Sequence, residues 1–180
     1  EWDIETGQLL RTITGFETAA PAYNTRYDKT ASSLIWTARA SVRVYDLELS
    51  EFGAVLGHED FVSATALAPN GRLLAAATAG TVDGNIIPIV RLWDSFGGQI
   101  IADIPTGESI GINVDFSADG TMLAMAGRTD LTVWQVVDQL VLLKSASSGG
   151  VIWDVKFSPD GKGLAIVDES GTLKIMRVIL

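Results

Sequence analysis

Short apolar runs, interleaved with single polar residues and broken by turn residues, recur along this chain at regular intervals. The clearest is residues 90–94, VRLWD: Val90, Leu92 and Trp93 are apolar while Arg91 and Asp94 are polar, which predicts a short, mostly buried strand ending in a turn. Near-copies stand on both sides, at Trp2 and Asp3, at 42–46 (VRVYD), at 131–135 (LTVWQ) and at 173–177 (LKIMR). Their aromatic or Met positions, Trp2, Tyr45, Trp93, Trp134 and Met176, are 43, 48, 41 and 42 residues apart. The turn glycines give the period independently, since Gly71, Gly120 and Gly161 are 49 and 41 apart. Neither a helix nor a single hairpin produces a period near forty; a repeat array does.

Each unit reads as up to four short strands. Residues 1–15 are the tail of a repeat without its head: a strand end, a turn at 5–8 around Gly7, and an outer strand at 9–13 that belongs to a preceding or to the last blade. A first full unit spans 16–57, with strands near 20–25, 33–37, 41–45 and 52–56 and a polar turn at 27–30. The second, 58–106, has strands at 61–68, 73–78, 90–94 and 99–104 and a hairpin turn Pro69-Asn70-Gly71. The third, 107–148, has strands at 110–116, 122–126, 131–134 and 140–144 and a turn Ala118-Asp119-Gly120. The fourth, 149–180, has strands at 151–157, 163–167 and 172–180 around Pro159-Asp160-Gly161, and lacks its outer strand. Four short antiparallel strands per forty residues describe a propeller blade, a small twisted sheet that buries both faces only when neighbours stack on it. The expected fold is therefore all-β, a single propeller region of about four four-stranded blades.

Second-strand to aromatic spacings locate one irregularity. They are 11 residues from Leu34 to Tyr45, 11 from Leu123 to Trp134, 12 from Leu164 to Met176, but 19 from Leu74 to Trp93. An insertion of about eight residues therefore lies within 79–89 (AGTVDGNIIPI), between the second and third strands. Ile86, Ile87 and Pro88 at the tip of an extended loop would form an exposed apolar patch of the kind that marks contacts, unless they only lengthen the hairpin or tuck onto the next blade.

Composition narrows the function classes. With 47% hydrophobic residues and a positive mean hydropathy the 180-residue chain folds, and a net charge of −9, spread as single residues, disfavours nucleic acid and anionic membrane as partners. There is no cysteine, hence no disulfide and no thiolate site; this fits a reducing compartment and equally fits an exported protein. No run reaches the roughly 18 apolar residues of a membrane span. The chain starts at Glu1 in the middle of a repeat, so an upstream segment is expected, and a targeting signal could lie in it.

The segment WDIETGQLLRTITG, the pair Gly57-His58, the turns APNG, SADG and SPDG, and VRLWD together resemble the WD-repeat β-propeller family over essentially the whole chain. Trp153-Asp154 also spells the dipeptide, but it precedes SPDG in the first strand of its blade and is read as packing. The resemblance implies a non-catalytic protein-interaction scaffold, a rigid disc presenting loops of several blades to a protein partner. It also puts the long 79–89 connection on the face where the central strands begin, often the partner-binding face. The partner-binding residues it implies are Glu59, Asp60 and Phe61, the loop residues Asp83, Asn85, Ile86 and Ile87, then Arg128, Asp130 and Glu169. Given the net charge, a basic partner surface is favoured. A purely structural spacer within a larger multidomain protein is the competing reading.

In well-formed members of the family a His, a Ser or Thr, an Asp and the Trp make a buried hydrogen-bond chain. Only the second unit has all four candidates, His58, Thr78, Asp83 and Trp93, and the insertion displaces Asp83 from its usual offset. Elsewhere Tyr45 and Met176 replace Trp and Ser170 holds the turn position, so those blades are expected to rest more on apolar packing than on such a chain. Family members also close each ring with a terminal strand. Three arrangements follow: a piece of a larger propeller, a four-bladed ring whose termini meet, or self-association of two chains through open blade edges.

Chemistry finds little support. His58, the sole histidine, is explained by the Gly57-His58 pair, and no Ser lies in a nucleophile-elbow context. Asp119, Asp160 and Asp168 are scattered over separate turns rather than gathered around a metal, and no phosphate-binding glycine pattern occurs. Residues 3–10 faintly resemble the turn motif of pyrroloquinoline-quinone propellers, which are dehydrogenases, but the motif does not recur in each blade. No catalytic residue, cofactor or metal is assigned.

Overall fold

Two polar turn devices recur between the strands, the first only where an Asp follows the aromatic position, since Gln135 and Arg177 stand there in the third and fourth units. In the computed structural model, which describes residues 1–14, 24–27, 32–106, 113–137 and 140–178, the Asp that follows the aromatic position folds back on its own turn. Asp3 Oδ1 accepts from the amides of Glu5 and Thr6 at 2.9 Å each, Asp46 Oδ1 from Glu48 and Leu49 at 2.8 Å each, and Asp94 Oδ1 from Phe96 and Gly97 at 3.1 and 3.0 Å. These side-chain bonds replace a backbone turn, which is why Asp recurs there. The first-to-second strand turns use a second device. Asp119 Oδ1 accepts from the Ser117 hydroxyl and the Thr121 amide, and Asp160 Oδ1 does the same with Ser158 and Lys162.

Between these turns run β1 (Asn24–Tyr27), β2 (Ser33–Ala38), β3 (Ser41–Asp46), β4 (Glu51–Phe52) and β5 (Leu56–Gly57) in the first sheet. The second sheet has β6 (Ala64–Leu67), β7 (Leu73–Val82), β8 (Asn85–Asp94) and β9 (Ile100–Pro105). The third has β10 (Asn113–Phe116), β11 (Met122–Ala126), β12 (Asp130–Gln135) and β13 (Val141–Ser147), and the fourth β14 (Ile152–Phe157), β15 (Gly163–Asp168) and β16 (Leu173–Arg177). The described strand pairings are antiparallel and, apart from β3 with β5, sequential, giving four small sheets of 5, 4, 4 and 3 strands arranged as a four-bladed β-propeller. Of the expected strands, most of 20–25, the start of 110–116 and the end of 172–180 lie outside the described residues, as does most of the turn at 27–30. In the first sheet the outer strand is split into β4 and β5, both paired with β3. Gly53 sits at the break, where a Cβ would come 2.6 Å from the Ser95 carbonyl of the next sheet.

Apolar residues fill the junctions between successive sheets. Ile35, Val42, Val44 and Leu56 meet Leu67, Leu74 and Trp93; Ala75, Ala77 and Leu92 meet Val114, Phe116, Leu123 and Met125; Ala124, Leu131 and Val133 meet Val155, Phe157, Leu164 and Ile166. Strand β7 contributes Leu74 and Ala76 to one junction and Ala75 and Ala77 to the next, so it reads as a continuous small apolar run rather than an alternation. Burial alternates along β15 and β16 of the fourth sheet, and Leu173 and Ile175 of β16 are exposed. Trp153, expected to be packing, is 63% exposed instead: the register of β14 shifts between Ile152 and Asp154, and this bulge re-aims its side chain.

The insertion in 79–89 is a pair of lengthened strands, not a loop. Strands β7 and β8 stay in register through Ala79↔Pro88, Gly80↔Ile87, Thr81↔Ile86 and Val82↔Asn85 and close on a two-residue turn. That turn, Asp83-Gly84, has φ of 50° and 80°, the two positive values a tight hairpin of this hand requires. Neither β6 nor β9 accompanies these four pairs, so a two-stranded ribbon about 15 Å long projects from the disc.

Candidate functional site

Antiparallel order brings the end of the second strand of each sheet, and of the fourth where one is described, to the same face of the disc, and the ribbon rises from that face. The ribbon is tied down along both sides. Thr81 Oγ1 donates to Glu59 Oε2 at 2.7 Å and Thr78 Oγ1 to the Asp60 carbonyl at 3.2 Å, which gathers Glu59, Asp60 and the half-exposed Phe61 beside it. On the other side the Thr106 hydroxyl donates to the Pro88 carbonyl at 3.0 Å. At the tip Asp83 and Asn85 are exposed and Ile86 is 75% exposed, while Ile87 is only half-buried.

Further round the same face stand Arg128 and Asp130, flanking the β11–β12 turn, with both side chains exposed. The Arg128 carbonyl accepts from the Ile152 amide at 2.7 Å, and Glu169 bonds the neighbouring Val151 through its backbone amide at 2.8 Å and its carboxylate at 3.2 Å. The sequence-predicted residues thus form two groups along one arc, the ribbon with 59–61 and the turns of the third and fourth sheets. Glu59, Asp60, Asp83, Asp130 and Glu169 give that arc a negative rim.

Of the four residues named for a buried chain, the structure brings two together. Trp93 Nε1 donates to His58 Nε2 at 3.1 Å, with the rings edge to face and 5.4 Å apart. Thr78 turns instead to the Asp60 carbonyl. Asp83 sits at the ribbon tip, five residues beyond Thr78 and hence roughly 16 Å along the strand, out of reach of the imidazole. Because Nε2 accepts from the indole, the His58 proton resides on Nδ1, which is buried without a hydrogen-bond partner among the described residues. Burial, reinforced by the charge of Arg91, holds the His58 pKa down at about 4.

Two polar assemblies escaped sequence reading. Arg91, only 6% exposed, forks onto Asp103 with Nε–Oδ1 and Nη2–Oδ2 distances of 2.7 and 2.8 Å. The pairing Arg91↔Asp103 is a cross-strand one on β8 and β9, and a charge on an outer strand gives no sign of an internal partner. In the fourth sheet the buried Asp168, not Ser170, organises the turn. It accepts from the Ser170 hydroxyl at 2.5 Å and the Thr172 amide at 3.2 Å and pairs with Lys174 at 3.0 Å, which holds its pKa down at about 2. That sheet therefore carries a polar turn network of its own beside its apolar junction.

No group of three or more His, Cys, Asp or Glu among the described residues is placed to hold a metal ion, and no described helix is long and apolar enough to cross a membrane.

Comparison with known proteins agrees with this architecture. The family model described as WD domain, G-beta repeat matches residues 50–87 and 139–176. WD repeat-containing protein 90 of Xenopus tropicalis is 30% identical over 130 residues, 69% of this chain and 7% of that protein. Apoptotic protease-activating factor 1 of Rattus norvegicus is 28% identical over 99% of this chain and 14% of its own length. The chain thus spans a small part of each of these relatives. With two repeat matches, these relatives and four stacked antiparallel sheets, the chain belongs to the WD-repeat β-propeller family.

Proposed function

We propose that this region is a non-catalytic protein-interaction scaffold that engages its partner through the ribbon face. The observation that carries the reading is the projecting β7–β8 ribbon: it exposes Ile86 just below the Asp83-Gly84 turn, and Glu59 is bonded to Thr81, the residue paired with Ile86. A disc held by stacked sheets needs no such extension for its own stability. An exposed β-branched side chain on a rigid two-stranded arm lowers the ordering cost of a contact. The acidic rim favours a partner with a basic surface around an apolar recess.

A photo-crosslinking amino acid in place of Ile86, compared with one in place of Val141 on an outer strand, tests this in native extract. The scaffold reading predicts discrete protein adducts from position 86 that position 141 does not give. Equal adduct patterns from both positions would support a structural spacer instead.

A further inference from the structure

The third sheet lacks the large side chains that fill the corresponding volume of the second. By register Trp134 stands opposite Leu123 as Trp93 stands opposite Leu74, so Thr132 takes the place of Arg91. Ser145, paired with Thr132, takes the place of Asp103, paired with Arg91. In the second sheet the Arg91 guanidinium lies 5.8 Å from the Trp93 ring centre and is held by Asp103. In the third sheet two hydroxyl residues replace that ion pair, and a cavity of about 170 Å³ remains between Pro105, Thr106, Asp130, Thr132, Trp134 and Ser145.

The walls of this cavity are suited to a planar cation. Trp134 Nε1 donates to Thr132 Oγ1 at 3.1 Å, so the indole is already satisfied. The Asp130 carboxylate, exposed at the mouth, has no hydrogen-bond or ion-pair partner among the described residues. Thr106, on the opposite wall, is bonded to Pro88 at the base of the ribbon, so the cavity adjoins the proposed docking face. It is too small for a drug-sized ligand. It matches in kind the space that an arginine head occupies in the sister sheet.

We propose that this cavity receives an arginine side chain presented by the protein partner, with the guanidinium between Asp130 and the hydroxyls of Thr132 and Ser145 and its plane toward Trp134. The proposal rests on the ribbon face being a protein-binding surface. Guanidinium is favoured over ammonium because it is planar, forks onto a carboxylate, stacks on aromatic rings and is more weakly hydrated. The overall charge of −9 draws such a group toward the chain.

Titrating the intact chain with N-acetylarginine amide, while following the Trp134 indole N–H resonance assigned with a Trp134→Phe variant, tests the site itself. The resonance is expected to shift saturably, and N-acetyllysine amide is expected to bind about tenfold more weakly. Asp130→Asn should weaken the arginine amide by about tenfold. The double variant Thr132→Arg/Ser145→Asp, which rebuilds the ion pair of the second sheet in the cavity, should abolish the shift. No shift, an equal response to the lysine amide, or a shift that survives in the filled variant would overturn the proposal. Should the filled variant not fold, Asp130→Asn alone decides. Crosslinks from position 86 that persist in a chain showing no arginine response would remove the arginine pocket and leave the docking reading intact. Absence of those crosslinks in the unmodified chain removes the docking reading, and with it the partner-borne arginine, whatever the free amide does.

Discussion

Trp93 donates its indole proton to His58 at 3.1 Å, across 35 residues of sequence, and so joins the third strand of the second sheet to the segment that enters it. The bond exists only while the imidazole is neutral, because a protonated Nε2 would face the indole N–H donor to donor. With the folded pKa held at about 4 against 6.5 for the free side chain, the unfolded chain takes up the proton first. The resulting stability is fully present above about pH 6.5 and is lost as pH falls toward 4, by at most about 1.4 kcal/mol per pH unit. Urea midpoints at pH 7.5, 5.5 and 4.5 should therefore decline more steeply for the native chain than for His58→Gln, which keeps an acceptor for Trp93 but does not titrate. Parallel declines would show that His58 contributes nothing to the acid sensitivity.

Arg91 and Asp103 form a largely buried pair, with side chains 8% and 25% exposed. Removing one partner leaves the other charge stranded, at a cost of about 3 kcal/mol or more, whereas replacing both with apolar residues of similar size is often nearly neutral. The expected order of stability in chemical denaturation is Asp103→Leu lowest, with the double variant Arg91→Met/Asp103→Leu recovering most of the loss. Additive losses would contradict the assignment.

A Cβ on Gly80 would lie 2.4 Å from Ile89 Cδ1. Gly80→Ala, ordinarily favourable in a strand, should instead destabilise by about 1–3 kcal/mol through overpacking. Ile89→Val deletes the opposing methyl, so the double variant is predicted to be more stable than the two single losses imply. A stabilising Gly80→Ala would show that the ribbon base is looser than described.

The carboxylate of Asp168 is held well ionised by the Ser170 hydroxyl and Lys174, so its contribution persists above the usual carboxylate range and is lost only as pH falls toward about 2. Asp168→Asn should speed amide exchange at Ser170 and Thr172 while leaving the β7 amides protected. Unchanged exchange at the turn would remove Asp168 from its organising role.

The repeat was legible because two separate markers recur with one period, the aromatic position and, in three of the four units, the turn glycine, and neither depends on the other. The buried polar partners were not. Arg91 and Asp103 are 12 residues apart on adjacent strands, and an outer-strand Asp carries no signal of what it faces. Asp83-Gly84 was a hairpin signal inside 79–89, but periodicity cannot decide between a long loop and lengthened strands when Gly80 and Pro88 interrupt the pattern. The Trp153 bulge and the cavity beside Trp134 arise from register and from what neighbouring sheets leave unfilled, which no linear spacing records.

One deletion tests the docking role of the ribbon most directly. Removing Thr81, Val82, Asn85 and Ile86 shortens the ribbon by two register pairs, keeps the Asp83-Gly84 turn and preserves which face each remaining residue occupies. With the crosslinker moved to Ile87, the shortened chain should melt as cooperatively as the full-length one and lose the protein adducts. Adducts retained at full yield on a folded, shortened chain would contradict the claim that the ribbon is the docking element.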